Sequence, residues 1–479
     1  MSTFTFGFGG DDIDDQDTEN DQGPDDTGID AGIRQLDIAG TKSRGEGAEG
    51  EESVLVEASY CDLDEMLSTL PSQISYNMLP INPQSPSSEG PSLTIPRREV
   101  FDIRAQLMAE DDADTNENAE LISGLEKGDL KPTVYEGGLK TWECAIDLAK
   151  LVAAEEIPSL LSDTAEGGSE DIDIIELGAG TAIPSLAILH HLLSRPVPRS
   201  LPRRIIRFVF ADYNAAVLRL VTVPNILLTW QTCRRHHLDH SQQRQRQQQQ
   251  QPEGNIPPNI DHGTDAEHNL NRNRWDGSRA DDDEQPDLDI EPALLSAFRE
   301  DLHARGICLS FISGAWSPAF VDLALPNRLQ SSPSSPSSSP SSQPRRTNLL
   351  VLASETIYSP ASLLPFSETL LALLRRGGRF GVTFTGTSTS ALPLDPAAGS
   401  AGVTNKTPLP KYNSKALIAA KEVYFGVGGG VDEFLNVMRD VGRSKGRVSD
   451  DDDDDGFSVK ERAEIRNEGV GRLVLEVIV

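Results

Sequence analysis

The sequence predicts an α/β protein built round a mostly parallel sheet, and three observations lead there. The first is a strand over residues 171–177 (DIDIIEL), which stops at Gly178 and is followed by apolar helical spacing over residues 184–193. The second is another unit of the same kind, a strand over residues 204–211 centred on IIRFVFA and then a helix from Asp212 through Leu220. Strands joined through a helix run parallel, because only a long crossover leaves room for that helix. The third is composition: 479 residues carry only 37% hydrophobic and 5% aromatic side chains. That is too little apolar surface for several full cores, so one globular domain with unpacked baggage is expected.

The elements follow in order. Residues 1–130 are acidic and rich in Gly, Ser, Pro and Asp, with apolar islands only near 53–58 and 96–107, and read as a largely disordered arm. At its tip Phe4, Phe6 and Phe8 alternate with small residues ahead of Asp11, Asp12, Asp14 and Asp15, which suits a short strand, a docking peptide or a floppy acidic tail. The domain is taken as residues 131–479. A glycine pair opens residues 135–152, and Leu139, Trp142, Ile146, Leu148 and Leu151 continue it with helical spacing.

After the second strand a Gln tract, clustered Arg and His and an acidic run mark an insert over about 231–300. A strand returns at residues 307–312, a Ser/Pro linker fills 328–346, and a strand at 348–353 precedes a helix over 360–375 that Gly377 and Gly378 should stop. Residues 379–384 and 416–425 both suit the next strand, and the second is preferred, with an insert over 386–412 between them. Gly428, Gly429 and Gly430 lead into a helix over 431–441, six aspartates from Asp450 to Asp455 mark an insert over 443–458, and the alternating run 472–479 fits a closing antiparallel strand.

Charge and cysteines bound the function. Lys and Arg number 43 against 75 Asp and Glu, a formal charge of −32. Such a surface does not coat nucleic acid, so no direct nucleic-acid binding is expected, and it suits a basic protein partner or plain solubility. The N-terminus lacks a basic start, and no run of about 18 apolar residues suggests a membrane span. Cys61, Cys144, Cys233 and Cys308 are far apart without a CxxC pair, which argues against a disulfide framework or zinc and for a reducing compartment. His236, His237 and His240 border the Gln tract and are read as incidental, so no metal is expected.

Two motifs carry chemistry. In DIDIIELGAGTAIP a strand ends in Glu176 and turns through Gly178 and Gly180 into a helix. Such a turn lets the backbone approach a ligand, and the helix start offers unpaired N–H groups. The spacing is not that of the dinucleotide fingerprint, because Thr181 and Ala182 follow Gly180. Glu176 would repel a pyrophosphate but suits a cationic or amino-bearing ligand such as S-adenosylmethionine. In ADYNAAVL, Asp212 stands at the end of the second strand and has two readings, a ribose acceptor or a cap for the next helix.

These residues, together with YEGGLKTWE, VTVPN, SETIY and AAKEVYFGVGGGV, resemble the family-16 seven-β-strand methyltransferases. Within them the chain is most similar to the eukaryotic protein-histidine N-methyltransferases that modify ribosomal protein three of the large subunit. The likeness covers residues 134–479 without the inserts, and the start FTFGFGGDD resembles that family's N-terminus. It implies a Rossmann-like, seven-stranded class I methyltransferase sheet with a disordered acidic N-terminal arm and low-complexity inserts.

The likeness further implies S-adenosylmethionine as methyl donor, with Glu176, Gly178 and Gly180 at its amino-acid end and Asp212, with Asn214 beside it, at the ribose. Trp142 is implied as a lid over the methionine part and Trp316 as an adenine wall, against ordinary core packing for both. SETIY puts Glu355 and Tyr358 on the acceptor side as the catalytic candidates. Thr181-Ala182 and Ala315 depart from the family, in which a further small or glycine residue and an acidic residue are common.

A sulfonium methyl is already activated, so the protein must mainly align a nucleophile and exclude water. A neutral imidazole, with an unperturbed pKa of about 6.5, is competent near pH 7. A carboxylate such as Glu355 would accept one ring N–H, fix the tautomer and stabilise the imidazolium that develops. The expected partner is a basic large-subunit ribosomal protein, the expected state a monomer, and the expected place cytoplasm and nucleus. A lysine methyltransferase of the same fold and a non-catalytic acidic escort of a ribosomal protein are the alternatives.

Overall fold

A computed structural model describes residues 56–81, 93–110, 137–160, 171–198, 204–249, 286–326, 347–379, 414–445, 456–466 and 469–479. The first of these already depart from the expected disordered arm: β1 (Ser59–Cys61), α1 (Leu63–Ser68), β2 (Gln73–Ile81), β3 (Leu93–Arg98) and α2 (Val100–Glu110) are built into the fold. Met66, Leu67, Ile74, Tyr76, Ile81, Ile95, Ile103 and Leu107 are all buried there. An average over 130 residues hides this, because the alternation of Ile74 and Tyr76 with exposed or half-buried neighbours occupies one short strand. The Phe-rich tip lies outside the described residues.

The chain continues through α3 (Glu143–Leu151), a π-helical turn (Val152–Glu156), α4 (Ile157–Leu160), β4 (Asp171–Leu177), α5 (Ile183–Leu193), β5 (Ile206–Asp212) and α6 (Ala215–Val217). A second π-helical turn (Leu218–Thr222) leads into α7 (Val223–Gln249). Then come β6 (Asp287–Asp289), α8 (Pro292–Arg305), β7 (Ile307–Ser313), α9 (Pro318–Ala324), β8 (Thr347–Ser354), α10 (Pro360–Arg379), β9 (Ser414–Lys421), α11 (Val431–Lys445), β10 (Ser458–Ile465) and β11 (Arg472–Ile478).

The main sheet has eight strands in the order β1-β7-β5-β4-β8-β9-β11-β10. β7, β5, β4, β8 and β9 are parallel, whereas β11 is antiparallel to both β9 and β10. The Rossmann-like class I methyltransferase sheet is thus present, with β1 added antiparallel on β7 through Ser59↔Ser313. β2 pairs with β3 and β6 in a small antiparallel sheet. Because side chains alternate along a strand, Ile172 and Ile174 of β4 face one core with α3, α5, α7 and α8, while Ile175 and Leu177 face another with α9, α10 and α11.

Three further differences have local causes. Helix α7 runs on to Gln249, and β6 and α8 occupy the far end of the expected 231–300 insert, with Leu288, Phe298 and Leu302 buried. Gly377 does not stop α10: a Cβ there would meet the Leu349 side chain at 2.5 Å and Ser414 Oγ at 2.7 Å, so glycine lets the helix lie against β8 and β9. β10 was not foreseen, since exposed polar residues alternate along this edge strand. The preference for residues 416–425 over 379–384 agrees with β9. The inserts at 328–346 and 386–412 lie outside the described residues, as does the aspartate run.

Ion pairs centred on the buried Glu156 and Glu476 tie the sheet edge to the π-helical turn after α3. Lys415 Nζ lies 2.5 Å from Glu156 Oε2 and 3.5 Å from Glu476 Oε2, and Arg462 pairs with Glu155 and Glu476. Arg472 Nε donates to Asp147 Oδ2 at 2.7 Å, which joins β11 to α3. The four cysteines are free thiols. No described helix is long and apolar enough to cross a membrane.

Candidate active site

Register brings the chemical motifs to one edge. Leu177 at the end of β4 pairs with Ala211 of β5 on one side and Ala353 of β8 on the other. The glycine turn, Asp212 and the Ser354–Tyr358 segment therefore leave the sheet together, where the chain order reverses and open α/β sheets form a crevice.

The glycine turn is shaped by its neighbours. Gly178 and Gly180 have φ of +67° and +49°. A Cβ on Gly178 would meet Thr356 Cγ2 at 2.7 Å, and one on Gly180 would stand 3.2 Å from the Gly138 carbonyl oxygen. Ala182, two residues beyond Gly180, is also left-handed at φ 59°. The turn's carbonyls are held by side chains of VTVPN: Thr222 Oγ1 donates to Gly180 O at 2.7 Å and Asn225 Nδ2 to Thr181 O at 3.1 Å. Asn225 Oδ1 in turn accepts the Arg98 N–H at 2.7 Å, so β3 supports the turn from behind.

Glu176 is 1% exposed. Its Oε2 accepts the Ser185 N–H at 3.1 Å in the first turn of α5, while Oε1 is buried without a hydrogen-bond partner among the described residues. Burial pushes the carboxyl up to about 8, and the nearby Asp212 adds to the rise against the Ser185 hydrogen bonds. A neighbouring cation would reverse that balance, because opposite charge favours the ionised form.

Asp212 is half-buried and is not the helix cap. Its Oδ2 accepts the Gly180 N–H at 3.0 Å and its Oδ1 the Asn214 N–H at 3.2 Å. Asn214 is the cap of α6, its Oδ1 accepting the Ala216 N–H at 2.8 Å. A carboxylate offers about four lone-pair sites, so it can accept several hydrogen bonds at once. Gly314 N–H donates to Asp212 O at 3.1 Å, which sets the loop bearing Trp316 beside this strand end. Trp316 itself meets Phe320 edge-on at 5.1 Å and Phe366 at 6.3 Å, so one part of the ring packs on α9 and α10.

The segment from Gly137 to Trp142 folds over the glycine turn. Thr141 Oγ1 and Thr181 Oγ1 are 3.1 Å apart, Trp142 Nε1 donates to Gly137 O at 2.9 Å, and Lys421 Nζ stands 5.6 Å above the Trp142 ring. Trp142 is half-buried and precedes α3, while Tyr135 and Glu136 lie outside the described residues.

Across the edge, Glu355 follows β8 in a left-handed conformation, φ 54°, fixed by its N–H donating to Ala419 O at 3.0 Å. Such a conformation in a non-glycine residue costs about 1–3 kcal/mol and persists where surroundings enforce it. Tyr424 Oη donates to Glu355 Oε2 and accepts the Lys421 N–H at 3.2 Å. Glu355 Oε1 is buried and without a hydrogen-bond partner among the described residues. The Tyr424 hydroxyl and the Cys144 thiol are both pushed up by burial and by the Glu355 carboxylate beside them, so both stay protonated. Tyr358 lies 6.3 Å from the Tyr424 ring, edge-on at 67°.

Sequence reasoning thus brought Glu176, Gly178, Gly180, Asp212 and Glu355 to one edge but gave Tyr424, Cys144, Thr222 and Asn225 no role. Tyr424, Thr222 and Asn225 sit inside the motifs quoted for the resemblance, and an aromatic hydroxyl just past a strand end was the available signal.

No family profile matches the chain. It is 31% identical over 366 residues to histidine protein methyltransferase 1 of Saccharomyces cerevisiae, covering 74% of this chain and 71% of that protein. To histidine protein methyltransferase 1 of Schizosaccharomyces pombe it is 29% identical over 394 residues, 81% of this chain and 78% of that protein. A histidine protein methyltransferase 1 homolog of Mus musculus is 24% identical over 350 residues, 73% of this chain and 58% of that protein. These relatives favour histidine over lysine and catalysis over escort, the choices that the glycine turn and SETIY alone left open. The extent and identity of the match to the Saccharomyces cerevisiae protein, with the sheet and its motif-bearing edge, mean that the chain belongs to the histidine protein methyltransferase family and is a protein-histidine N-methyltransferase.

Proposed function

We propose that the chain transfers a methyl group from S-adenosylmethionine to an imidazole nitrogen of a basic large-subunit ribosomal protein, acting as a monomer in cytoplasm and nucleus. The observation that carries the donor half is the buried, unpartnered Glu176 Oε1 beneath a glycine turn whose backbone is tied to Asp212. These residues fit the donor's chemistry: Gly178 and Gly180 leave main chain to approach its amino-acid end, Glu176 favours its cationic charge, and Asp212, a carboxylate at the end of β5 next to Asn214, would accept ribose hydroxyls. Trp142 would close over the methionine part and the outer face of Trp316 would border the adenine. When bound, the donor supplies an electrophilic methyl group on a sulfonium.

The remaining work falls to the acceptor side. Glu355, gripped through Oε2 by Tyr424, would present Oε1 to one N–H of the incoming imidazole. That fixes the tautomer, turns the other nitrogen's lone pair toward the donor and stabilises positive charge as it develops on the ring. Tyr358 would wall the pocket. A net charge of −32 favours encounter with a basic ribosomal protein.

The test is to incubate the purified chain with methyl-labelled S-adenosylmethionine and large-subunit ribosomal proteins from cells lacking the enzyme, then hydrolyse the labelled band. Methylhistidine in one ribosomal protein is expected. Methylhistidine appearing only in non-ribosomal proteins would overturn the substrate assignment, and failure of the donor to bind in equilibrium dialysis would overturn the cofactor.

A further inference from the structure

The turn after β9 pushes apolar side chains outward. Phe425 is 78% exposed, with Val423 at 48% and Val427 at 41% beside it. Scattered exposed apolar residues are ordinary, but several clustered on one short turn mark an interaction surface. The backbone beneath them is fixed. Tyr424 N–H donates to Gly429 O at 3.1 Å, Val427 and Gly428 N–H groups donate to Tyr424 O at 3.3 and 3.1 Å, and Val423 bridges to Gly430. Gly426 and Gly428 adopt φ of +78° and +95°, and Gly429 lies so close to Tyr358 that a Cβ would stand 2.3 Å from its carbonyl oxygen. A Cβ on Gly428 would lie 3.5 Å from Pro360, and one turn further along α10 from that proline Leu364 is 54% exposed.

The ridge is continuous with the acceptor side. Tyr424, which precedes Phe425, hydrogen-bonds Glu355, and Gly429 rests on Tyr358. A protein substrate that offers a histidine to Glu355 must lie against whatever borders that carboxylate. A lipid surface is a poor occupant, since anionic headgroups repel a chain of net charge −32. We propose that Val423, Phe425, Val427 and Leu364 form the docking ridge for the protein that carries the acceptor histidine, with Phe425 as its anchor. The inference rests on the reading of Glu355 and Tyr358 as the acceptor side. An aromatic ring is suited to this task, because it offers a large contact area with few rotamers to freeze, and aromatic anchors dominate interface energetics.

The test compares wild type with Phe425→Ala and Phe425→Leu. Methyl-labelled S-adenosylmethionine is supplied with a dilution series of lysate from cells lacking the enzyme, and label is followed in the band that yields methylhistidine. The expected result for Phe425→Ala is an apparent KM for that acceptor raised about 30-fold, as loss of an interface hot spot requires. Phe425→Leu should give a smaller rise, and saturating rate, donor affinity and melting temperature should match wild type. An unchanged KM in both variants overturns the proposal. So does an unchanged KM with a wild-type dimer that Phe425→Ala dissolves, which would give the ridge to a second copy of the chain. A fall in saturating rate and donor affinity at constant KM would make the turn a support of the site only. Glu355→Gln run in parallel separates the two ideas: wild-type rates there would remove the acceptor-side reading, while a raised KM in Phe425→Ala would still show docking.

Discussion

The hydroxyl of Tyr424 donates to Glu355 Oε2, linking the turn after β9 to the turn after β8 across 69 residues of sequence. Without it the carboxylate loses one of the groups that aim it. Tyr424→Phe is therefore expected to lower kcat for methylhistidine formation about tenfold or more, since a hydrogen bond to a charged group contributes about 1.5–3 kcal/mol. Donor affinity measured by calorimetry should not move, because Tyr424 has no part in the glycine turn.

Asp212 is expected to matter on the donor side. Asp212→Asn retains one acceptor oxygen for the strand-end N–H groups but removes the charge and half the acceptor capacity offered to a diol. Affinity for S-adenosylmethionine should fall about tenfold, the scale of one lost charge-assisted hydrogen bond. Equilibrium dialysis checks this, with the melting curve showing that the fold is retained.

Glu176 predicts a pH dependence. Its folded carboxyl lies near 8 against 4.5 as a free group, so the donor-free protein holds a proton there at pH 7. Binding of a cationic donor favours the ionised form, so affinity should rise as pH increases from 6 to about 8 and then level off. Calorimetry in buffers of different ionisation enthalpy should register release of a proton on binding at pH 7. For the donor-free fold the sign is opposite. The raised carboxyl contributes stability that is full below 4.5 and is lost as pH rises through about 8.

Truncation separates the two parts of the N-terminal stretch. Removal of residues 1–55 should leave folding and donor affinity intact. Removal of residues 1–130 should not, since it takes away Ile74, Ile95, Ile103, Leu107 and their buried neighbours together with the Arg98 N–H that orients Asn225. At about 1.5–3 kcal/mol for each buried apolar side chain, the loss exceeds a typical domain stability of about 5–15 kcal/mol. Circular dichroism melts of the two truncations check the contrast.

Much of this was legible where a short segment decides its own structure. Residues 171–177 are continuously apolar or paired, end at a glycine with φ +67°, and form β4 with those same bounds. The donor-side cluster was legible for the same reason, because Glu176, Gly178 and Gly180 are adjacent and Asp212 ends the next strand. What escaped depends on distant partners. β2 needs β6, more than 200 residues away, to complete its sheet, through pairs such as Ile74↔Leu288. Gly377 reads locally as a helix stop, and only the nearness of Leu349 and Ser414 shows that it serves packing. Tyr424 escaped likewise, since its role exists only once β9 lies beside β8.

The central claim is that Glu355 orients the acceptor imidazole, and the most direct measurement of it is the single-turnover rate of methylhistidine formation by Glu355→Gln at saturating donor and acceptor. The account predicts a rate at least about 100-fold below wild type, the usual scale for loss of a positioned acid–base group, with donor affinity unchanged. A rate equal to wild type would contradict it and place the orienting group elsewhere on this edge.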